Sequence, residues 1–479
     1  MQQLITSRSR FAMSQCRIEI IVSTLIALSI GCSDAAGQDT TRETSLDAAD
    51  SSTPETEGAN TESPDAGSAE LAPPAEMEQP VDVAKDTATN DSPAVEVAPV
   101  PAEKPKATET SEVATNVPSA DTHPTTTLVN PVPGSKFFVG ANFWNVGWQG
   151  SDDYFTKGVN FAATDNPWRP DLIEDLAPYH VLRFMDWNLT NTSNNDEARW
   201  DTRLKKTDDQ RDSVALEWQI DLCNRSKTDC WITVPHETEP EYWTQLAKLV
   251  HDTLDPSLRI YVEWSNEVWN AAFPQRAYAQ SKGNALGLPG SDKAASFYVY
   301  QSVRVFEAFE AVFGKDSPRV VKVLTGQAEY SGPCETHLAA LADPKINPNG
   351  THASAYAIAP YPKGDSVAAL QSSLGEVQQW VNDNAACSAK ANLPLISYEG
   401  GPDSFGKDNG QACRTLQRDP GMREVYSRFL DAMHDAKLLG PFMQYTHSGD
   451  CWGLKVSTGD APANSPKYQA LLDWLAVHP

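Results

Sequence analysis

Between Phe11 and Phe137 the chain carries no Phe, Trp or Tyr, and from Phe137 onward it holds nearly all of its 13 Trp, 14 Tyr and 15 Phe. A stretch without aromatic rings, rich instead in Ser, Thr, Pro, Ala and Glu, cannot bury enough apolar surface to offset the entropy of ordering it. The 479 residues therefore divide into a region 33–135, expected as a disordered linker, and a region 136–479 able to form a core. Charge divides the same way. Residues 33–135 contain 20 acids against four bases (Arg42, Lys85, Lys104 and Lys106), a net −16 out of −26 for the whole chain. The acidity thus belongs to a self-repelling spacer rather than to the folded part. Nucleic acid is not expected as a partner, because no basic stripe is present to neutralise phosphates.

The N-terminus gives the spacer a purpose. Arg8, Arg10 and Arg17 precede an apolar run from Ile20 to Ile30, too short for a mature membrane-spanning helix and laid out like a signal peptide over residues 1–32. The run closes Leu28-Ser29-Ile30-Gly31-Cys32, which resembles a bacterial lipobox. That resemblance implies lipidation of Cys32, a cell-surface or periplasmic protein, and contact with the membrane through the lipid alone. An ordinary cleaved signal would instead leave a secreted protein.

Cys16 and Cys32 lie in this export segment. The other six, Cys223, Cys230, Cys334, Cys387, Cys413 and Cys451, are even in number, which in an exported chain favours disulfides over metal ligation. No CxxC pair occurs and the His residues lack ligand spacing, so neither a metal nor a cofactor is expected. Cys223 and Cys230, separated by a short loop, are the simplest pair.

After Phe137 short apolar runs alternate with longer helical patterns. The runs are Phe137–Ala141, Val181–Phe184, Trp231–Val234, Arg259–Trp264, Val320–Leu324, Ala355–Ala359, Pro394–Ser397 and Pro441–Tyr445. Their near-continuous apolar character suits parallel strands covered on both faces. Between them, Val299, Val303, Phe306, Phe309 and Phe313 mark one helix face, with Gly314 placed to end it. Trp243, Leu246, Ala247, Val250 and Leu254 mark another, and a last helix is expected near Lys467–Val477. Eight strand–helix units predict an α/β fold of the (β/α)8 TIM-barrel class. A doubly wound open sheet lacks support, since no Gly-rich phosphate loop follows the first strand.

In such a barrel the chemistry sits where strands end at their C-termini. The fourth run continues Glu263-Trp264-Ser265-Asn266-Glu267, and the seventh continues Ser397-Tyr398-Glu399. Two carboxyls across a barrel mouth are what a retaining glycosidase requires, one as acid and one as nucleophile, roughly 5–5.5 Å apart. Either glutamate alone is an ordinary strand-end residue; it is the pair, at runs four and seven of eight, that carries the reading.

These residues resemble clan A of the glycoside hydrolases, the family 5-like, cellulase-like group in particular, and Glu263 fits that group's Glu-x-x-Asn-Glu pattern. The resemblance implies Glu267 as general acid/base, Glu399 as nucleophile and Asn266 as donor to the sugar 2-hydroxyl. It further implies Arg183 as the residue orienting the nucleophile, Tyr361 as its hydrogen-bond donor, and Trp452 as the platform beneath the reacting sugar. Val268 replaces the Pro common after Asn-Glu, and Ala359 stands near the place of the family 5 strand-six histidine. Both departures bear on assignment to family 5 itself and not on the clan.

Other strand-end residues are weighed on their own. His236 is expected either to contact substrate or to pair with Glu237 or Glu239. Glu263 is expected to point into the barrel and pair with Arg183. Asp186, His447 and Asp450 read as loop residues, binding sugar or solvated. Indole faces stack on sugar rings, which makes Trp144, Trp148 and Trp187, with Trp452, candidate platforms; Trp264 and Trp269 are expected partly in the core. The whole reads as a monomeric retaining O-glycoside hydrolase degrading a β-linked poly- or oligosaccharide. Two alternatives use the same residues: a carbohydrate-binding barrel without catalysis, and a transglycosylase.

Overall fold

The computed structural model describes residues 127–144, 154–210, 213–405, 411–449 and 451–478. The expected signal peptide, Cys32, most of the linker, Trp148 and Asp450 lie outside the described residues.

Eight parallel strands form one sheet in the order β7-β6-β5-β4-β3-β2-β1-β8. They are β1 Val139–Phe143, β2 Val181–Phe184, β3 Asp229–Val234, β4 Ile260–Trp264, β5 Val320–Thr325, β6 Ala355–Ile358, β7 Leu395–Ser397 and β8 Phe442–Tyr445. Backbone bonds from Leu439 to Leu395 (2.9 Å), Ser397 to Pro441 (3.0 Å) and Tyr445 to Gly400 (2.8 Å) link the two ends. The fold is a (β/α)8 TIM barrel.

Helices cover the outside: α1 Leu172–Asp175, α2 Leu216–Ser226, α3 Pro240–Thr253, α4 Pro274–Ala285, α5 Lys293–Phe313, α6 Gly332–Ala342, α7 Val367–Ser388, α8 Gln411–Leu416, α9 Gly421–Asp435 and α10 Pro466–Val477. The expected α5 face is buried through Val299, Val303, Phe306, Phe309 and Phe313. Gly314 ends that helix at φ 89°, in the left-handed region open to glycine. Among the described residues no helix is long and apolar enough to cross a membrane.

Side chains alternate along each strand, and the alternation sorts the barrel into two cores. Val139, Leu182, Ile232, Val262, Leu324 and Phe442 face the helices. Val181, Trp231, Tyr261, Val323, Ala357, Ile396 and Met443 fill the interior. The same parity carries Asn142, Arg183 and Glu263 inward at the top of β1, β2 and β4, and all three are fully buried. A polar layer therefore caps an apolar plug.

Most strand boundaries fall within one residue of expectation; β3 starts two residues early, at Asp229, and β1 and the end of the spacer also differ. β1 begins and ends two residues later than its apolar run, because Asn142 and Phe143 pair with Arg183 and Phe184 of β2. The segment 127–135, expected as the end of the spacer, lies along the barrel floor. There the Asn130 amide donates to buried Asp229 (3.1 Å) and its carbonyl accepts from Arg259 (3.0 Å). Those groups need partners once buried; the Asn130 side chain serves Asp229, and the backbone carbonyls of Asn130 and Pro131 serve Arg259.

Candidate active site

Arg183 organises the barrel mouth. Its Nε and Nη2 donate to the two carboxylate oxygens of Glu263 at 3.0 and 3.2 Å, Nη1 donates to Glu399 at 2.9 Å, and Nη2 also donates to Asn266 Oδ1 at 2.9 Å. Its guanidinium lies over the rings of Trp231 and Tyr398, at 5.6 and 5.1 Å. Burial alone would lower its pKa, but the charges of Glu263 and Glu399 outweigh that and hold it raised. Glu263 is raised by burial, opposed by Arg183, and it also accepts from Trp231 Nε1 at 2.9 Å. It is a structural counter-ion with both oxygens occupied.

Glu399 follows β7 and is 6% exposed. Besides Arg183 it accepts from the Tyr361 hydroxyl at 2.9 Å and from Asn142 Nδ2 at 3.2 Å. Three donors from β1, β2 and the β6 loop thus fix one carboxylate.

Glu267 sits in a different setting. The turn after β4 holds Ser265 at φ 64° and Glu267 at φ 42°, left-handed conformations that ordinary side chains adopt at a cost of about 1–3 kcal/mol and that cluster at functional sites. Its oxygens accept from the Tyr398 hydroxyl (2.9 Å) and Asn270 Nδ2 (3.0 Å). Burial first, and the nearby Glu399 charge second, push its pKa up to about 7. Among the described residues no guanidinium donates to it, and the Arg183 charge opposes the rise only from a distance.

Asn266 is held from both sides. Its oxygen takes Arg183 and its Nδ2 donates to Asn191 Oδ1 at 3.2 Å, while Gln275 donates to that same oxygen at 2.7 Å and to the Asn266 carbonyl at 2.6 Å. One amide hydrogen of Asn266 remains for another acceptor. Asp186, after β2, is raised to about 7 by burial despite accepting backbone N–H groups from Asn191 and Thr190.

Aromatic rings line the opposite side. Trp452 stacks on Phe405 at 5.2 Å and 11° between planes, and meets Trp144 and Tyr445 at angles, each 6.0 Å away. Its Nε1 donates to Asp403 at 3.2 Å. Cys451, the residue before it, is bonded to Cys413; the other disulfides are Cys223–Cys230 and Cys334–Cys387.

Three expectations are corrected here. Trp187 is fully buried, clustered with Phe143, Tyr154, Phe184 and Trp168 and donating its Nε1 to the Trp144 carbonyl at 2.7 Å, so it is core and offers no ring face to a sugar. His236 is also fully buried; its Nε2 pairs with Ser193 at 3.1 Å and its ring meets Tyr278 edge-on, while Glu237 caps the Asn194 N–H instead. His447 is buried rather than solvated, pairs with Tyr179 at 3.2 Å, and is lowered by burial to about 3.

Asn142, Asn191, Asn270 and Tyr398 contact the candidate residues without having been singled out. Strand parity was the usable signal for Asn142, once β1 is extended to it. Among the described residues no group of three or more His, Cys, Asp or Glu is placed to hold a metal ion.

No protein-family model matches the chain, and no curated protein matches it in sequence. Solved structures do resemble it. A 4-O-α-L-rhamnosyl-β-D-glucuronidase from Fusarium oxysporum 12S is 13% identical, with 73% of each chain covered and a TM-score of 0.44. An endo-β-1,4-mannanase of glycoside hydrolase family 26 from Cellulomonas fimi is 13% identical over 72% of this chain and 71% of that one, TM-score 0.42. A GH5-4 broad-specificity endoglucanase from an uncultured bacterium is 15% identical over 70% and 94%, TM-score 0.40. Similarity of this degree carries no argument about chemistry. The reading that follows rests on the side chains.

Proposed function

We propose that the protein is a retaining O-glycoside hydrolase acting on a β-linked poly- or oligosaccharide. One observation carries the reading: a single barrel mouth keeps two carboxyls in unlike environments. Glu267 is raised to about 7 by burial and the Glu399 charge, and among the described residues it has no ion-pair partner, while Glu399 is fixed by Arg183, Tyr361 and Asn142. Environments that differ in this way divide acid and nucleophile between two like side chains.

In the first step a Glu399 oxygen attacks the anomeric carbon as the glycosidic C–O bond breaks, and the Glu267 proton passes to the departing oxygen. The product is a glycosyl ester on Glu399 and an ionised Glu267. Glu267 then removes a proton from water, whose oxygen attacks the anomeric carbon and releases Glu399. Each step inverts the centre, so the pair retains configuration. Arg183, Tyr361 and Asn142 hold the nucleophile in line, the remaining Asn266 amide hydrogen suits the 2-hydroxyl, and Trp452 with Trp144 suits the apolar face of a ring. Signal peptide, Cys32 and acidic spacer would place this barrel outside the cytoplasm on a lipid tether, working as a monomer.

Glu399→Ala tests the assignment. Turnover of a β-glycoside should disappear and return with added azide, giving the glycosyl azide of inverted configuration. Unchanged activity in both Glu399→Ala and Glu267→Ala would overturn the reading.

A further inference from the structure

Gln275, the second residue of α4, is a polar side chain with no exposed surface. Its Oε1 meets no donor among the described residues. A buried acceptor in that state destabilises the fold, and a leucine of similar size would avoid the cost. The reason for a glutamine therefore lies in its nitrogen. Nε2 donates to the Asn266 carbonyl at 2.6 Å and to Asn191 Oδ1 at 2.7 Å. That carbonyl lies within the turn whose Ser265 and Glu267 adopt positive φ. One side chain thus joins the turn after β4 to the loop after β2.

The resulting chain of amides has a fixed sense. A backbone carbonyl only accepts, so Gln275 turns its NH2 toward Asn266, and Asn191 must turn its oxygen toward Gln275. The same oxygen accepts from Asn266 Nδ2 at 3.2 Å. At the far end Arg183, which only donates, reaches Asn266 Oδ1 at 2.9 Å. Both ends impose one orientation on the Asn266 amide. Turned over, it would set its NH2 against a guanidinium and its oxygen against an oxygen. Asn191 is itself anchored, its backbone N–H donating to Asp186 Oδ1 at 3.1 Å and its Nδ2 to Met185 Sδ at 3.5 Å.

We propose that Gln275 and Asn191 are positioning residues that act through Asn266, keeping its remaining amide hydrogen toward the 2-hydroxyl of the sugar being cleaved. This rests on the glycosidase reading and extends it to two side chains that do not themselves meet the sugar. Without either one, Arg183 alone restrains an amide that can otherwise rotate about its last side-chain bond. A staple that merely held the loops would harm every substrate alike. A relay ending at one hydroxyl harms only the substrates that carry it.

The test uses the full chain and the best cleaved of the 2,4-dinitrophenyl β-glycosides of glucose, mannose and xylose, each compared with its 2-deoxy counterpart. That leaving group departs without a proton, so effects on Glu267 cancel. Asn191→Ala and Gln275→Leu should each lower the ratio of kcat/KM for the parent glycoside to that for the 2-deoxy glycoside by about three- to thirtyfold, the loss of one hydrogen bond that strengthens in the transition state. The fall should lie in kcat more than in KM. Asn191→Asp, which keeps an oxygen toward Asn266, should hold the ratio near wild type. In an Asn266→Ala background neither substitution should lower it further. An unchanged ratio in Asn191→Ala, or in a folded Gln275→Leu, overturns the proposal, as does a further fall in the Asn266→Ala background. Should wild type cleave none of the glycosides, the reaction assignment fails separately, and urea denaturation of Asn191→Ala, Asn266→Ala and the double variant decides the relay. A double loss smaller than the sum of the single losses supports it; additive losses overturn it.

Discussion

The Tyr398 hydroxyl donates to Glu267 at 2.9 Å, although Tyr398 is the chain neighbour of Glu399. One dipeptide at the end of β7 therefore touches both candidate carboxyls, and their separation is tied to a single strand end. Burial holds the Tyr398 phenol well above its usual range, with the charges of Glu267 and Glu399 adding to the effect, so it stays a donor.

That donor stabilises the charged form of Glu267, which gives a signed prediction. The acid must be protonated for the first step, so kcat/KM should fall on the alkaline side near pH 7. Tyr398→Phe removes a group that lowers the Glu267 pKa, and the alkaline limb should move to higher pH. A pH profile of kcat/KM on an unactivated β-glycoside checks this; a limb that stays in place contradicts the role given to Glu267.

Stability carries the same signature. Glu267 titrates near 7 in the fold and about 4.3 when unfolded. Between those values the folded state keeps a proton that the unfolded chain has released, so wild-type stability declines as pH rises through this window. Glu267→Gln lacks the penalty. Its stability relative to wild type should be greater at pH 8 than at pH 4 by about 1–3 kcal/mol, the partial exposure of the side chain reducing the full linkage value. Urea denaturation at the two pH values measures it.

Removing Arg183 should harm folding as well as turnover. Arg183→Met strands Glu263, which is fully buried, and loss of one partner of a buried pair costs about 3–5 kcal/mol. Adding Glu263→Gln should recover part of that loss in thermal melts while leaving activity low. No recovery in the double variant would mean that the two side chains are not energetically coupled.

The barrel was legible in the sequence because eight apolar runs and their intervening helix faces are local patterns. The strand-end glutamates were legible because Glu263 through Glu267, and Tyr398-Glu399, are contiguous. Asn142 was missed for a simple reason: a polar residue ended the apolar run, while pairing with Arg183 continued the strand. Trp187 and His236 differ from expectation because position at a strand end fixes neighbourhood but not exposure: Tyr154 and Trp168 pack on the one, Ser193 and Tyr278 on the other.

The three disulfides join Cys223 to Cys230, Cys334 to Cys387 and Cys413 to Cys451. Each cysteine of this domain is bonded to the next one along the chain, and none of the loops interleave or nest. For a polypeptide emerging N-terminus first, each of these six thiols meets its partner before a later one of the six has appeared. Oxidation in order of emergence then yields the right connectivity without reshuffling. Trp452, one residue past Cys451, belongs to the last loop to be sealed, so its setting is completed only when the final strand has been delivered.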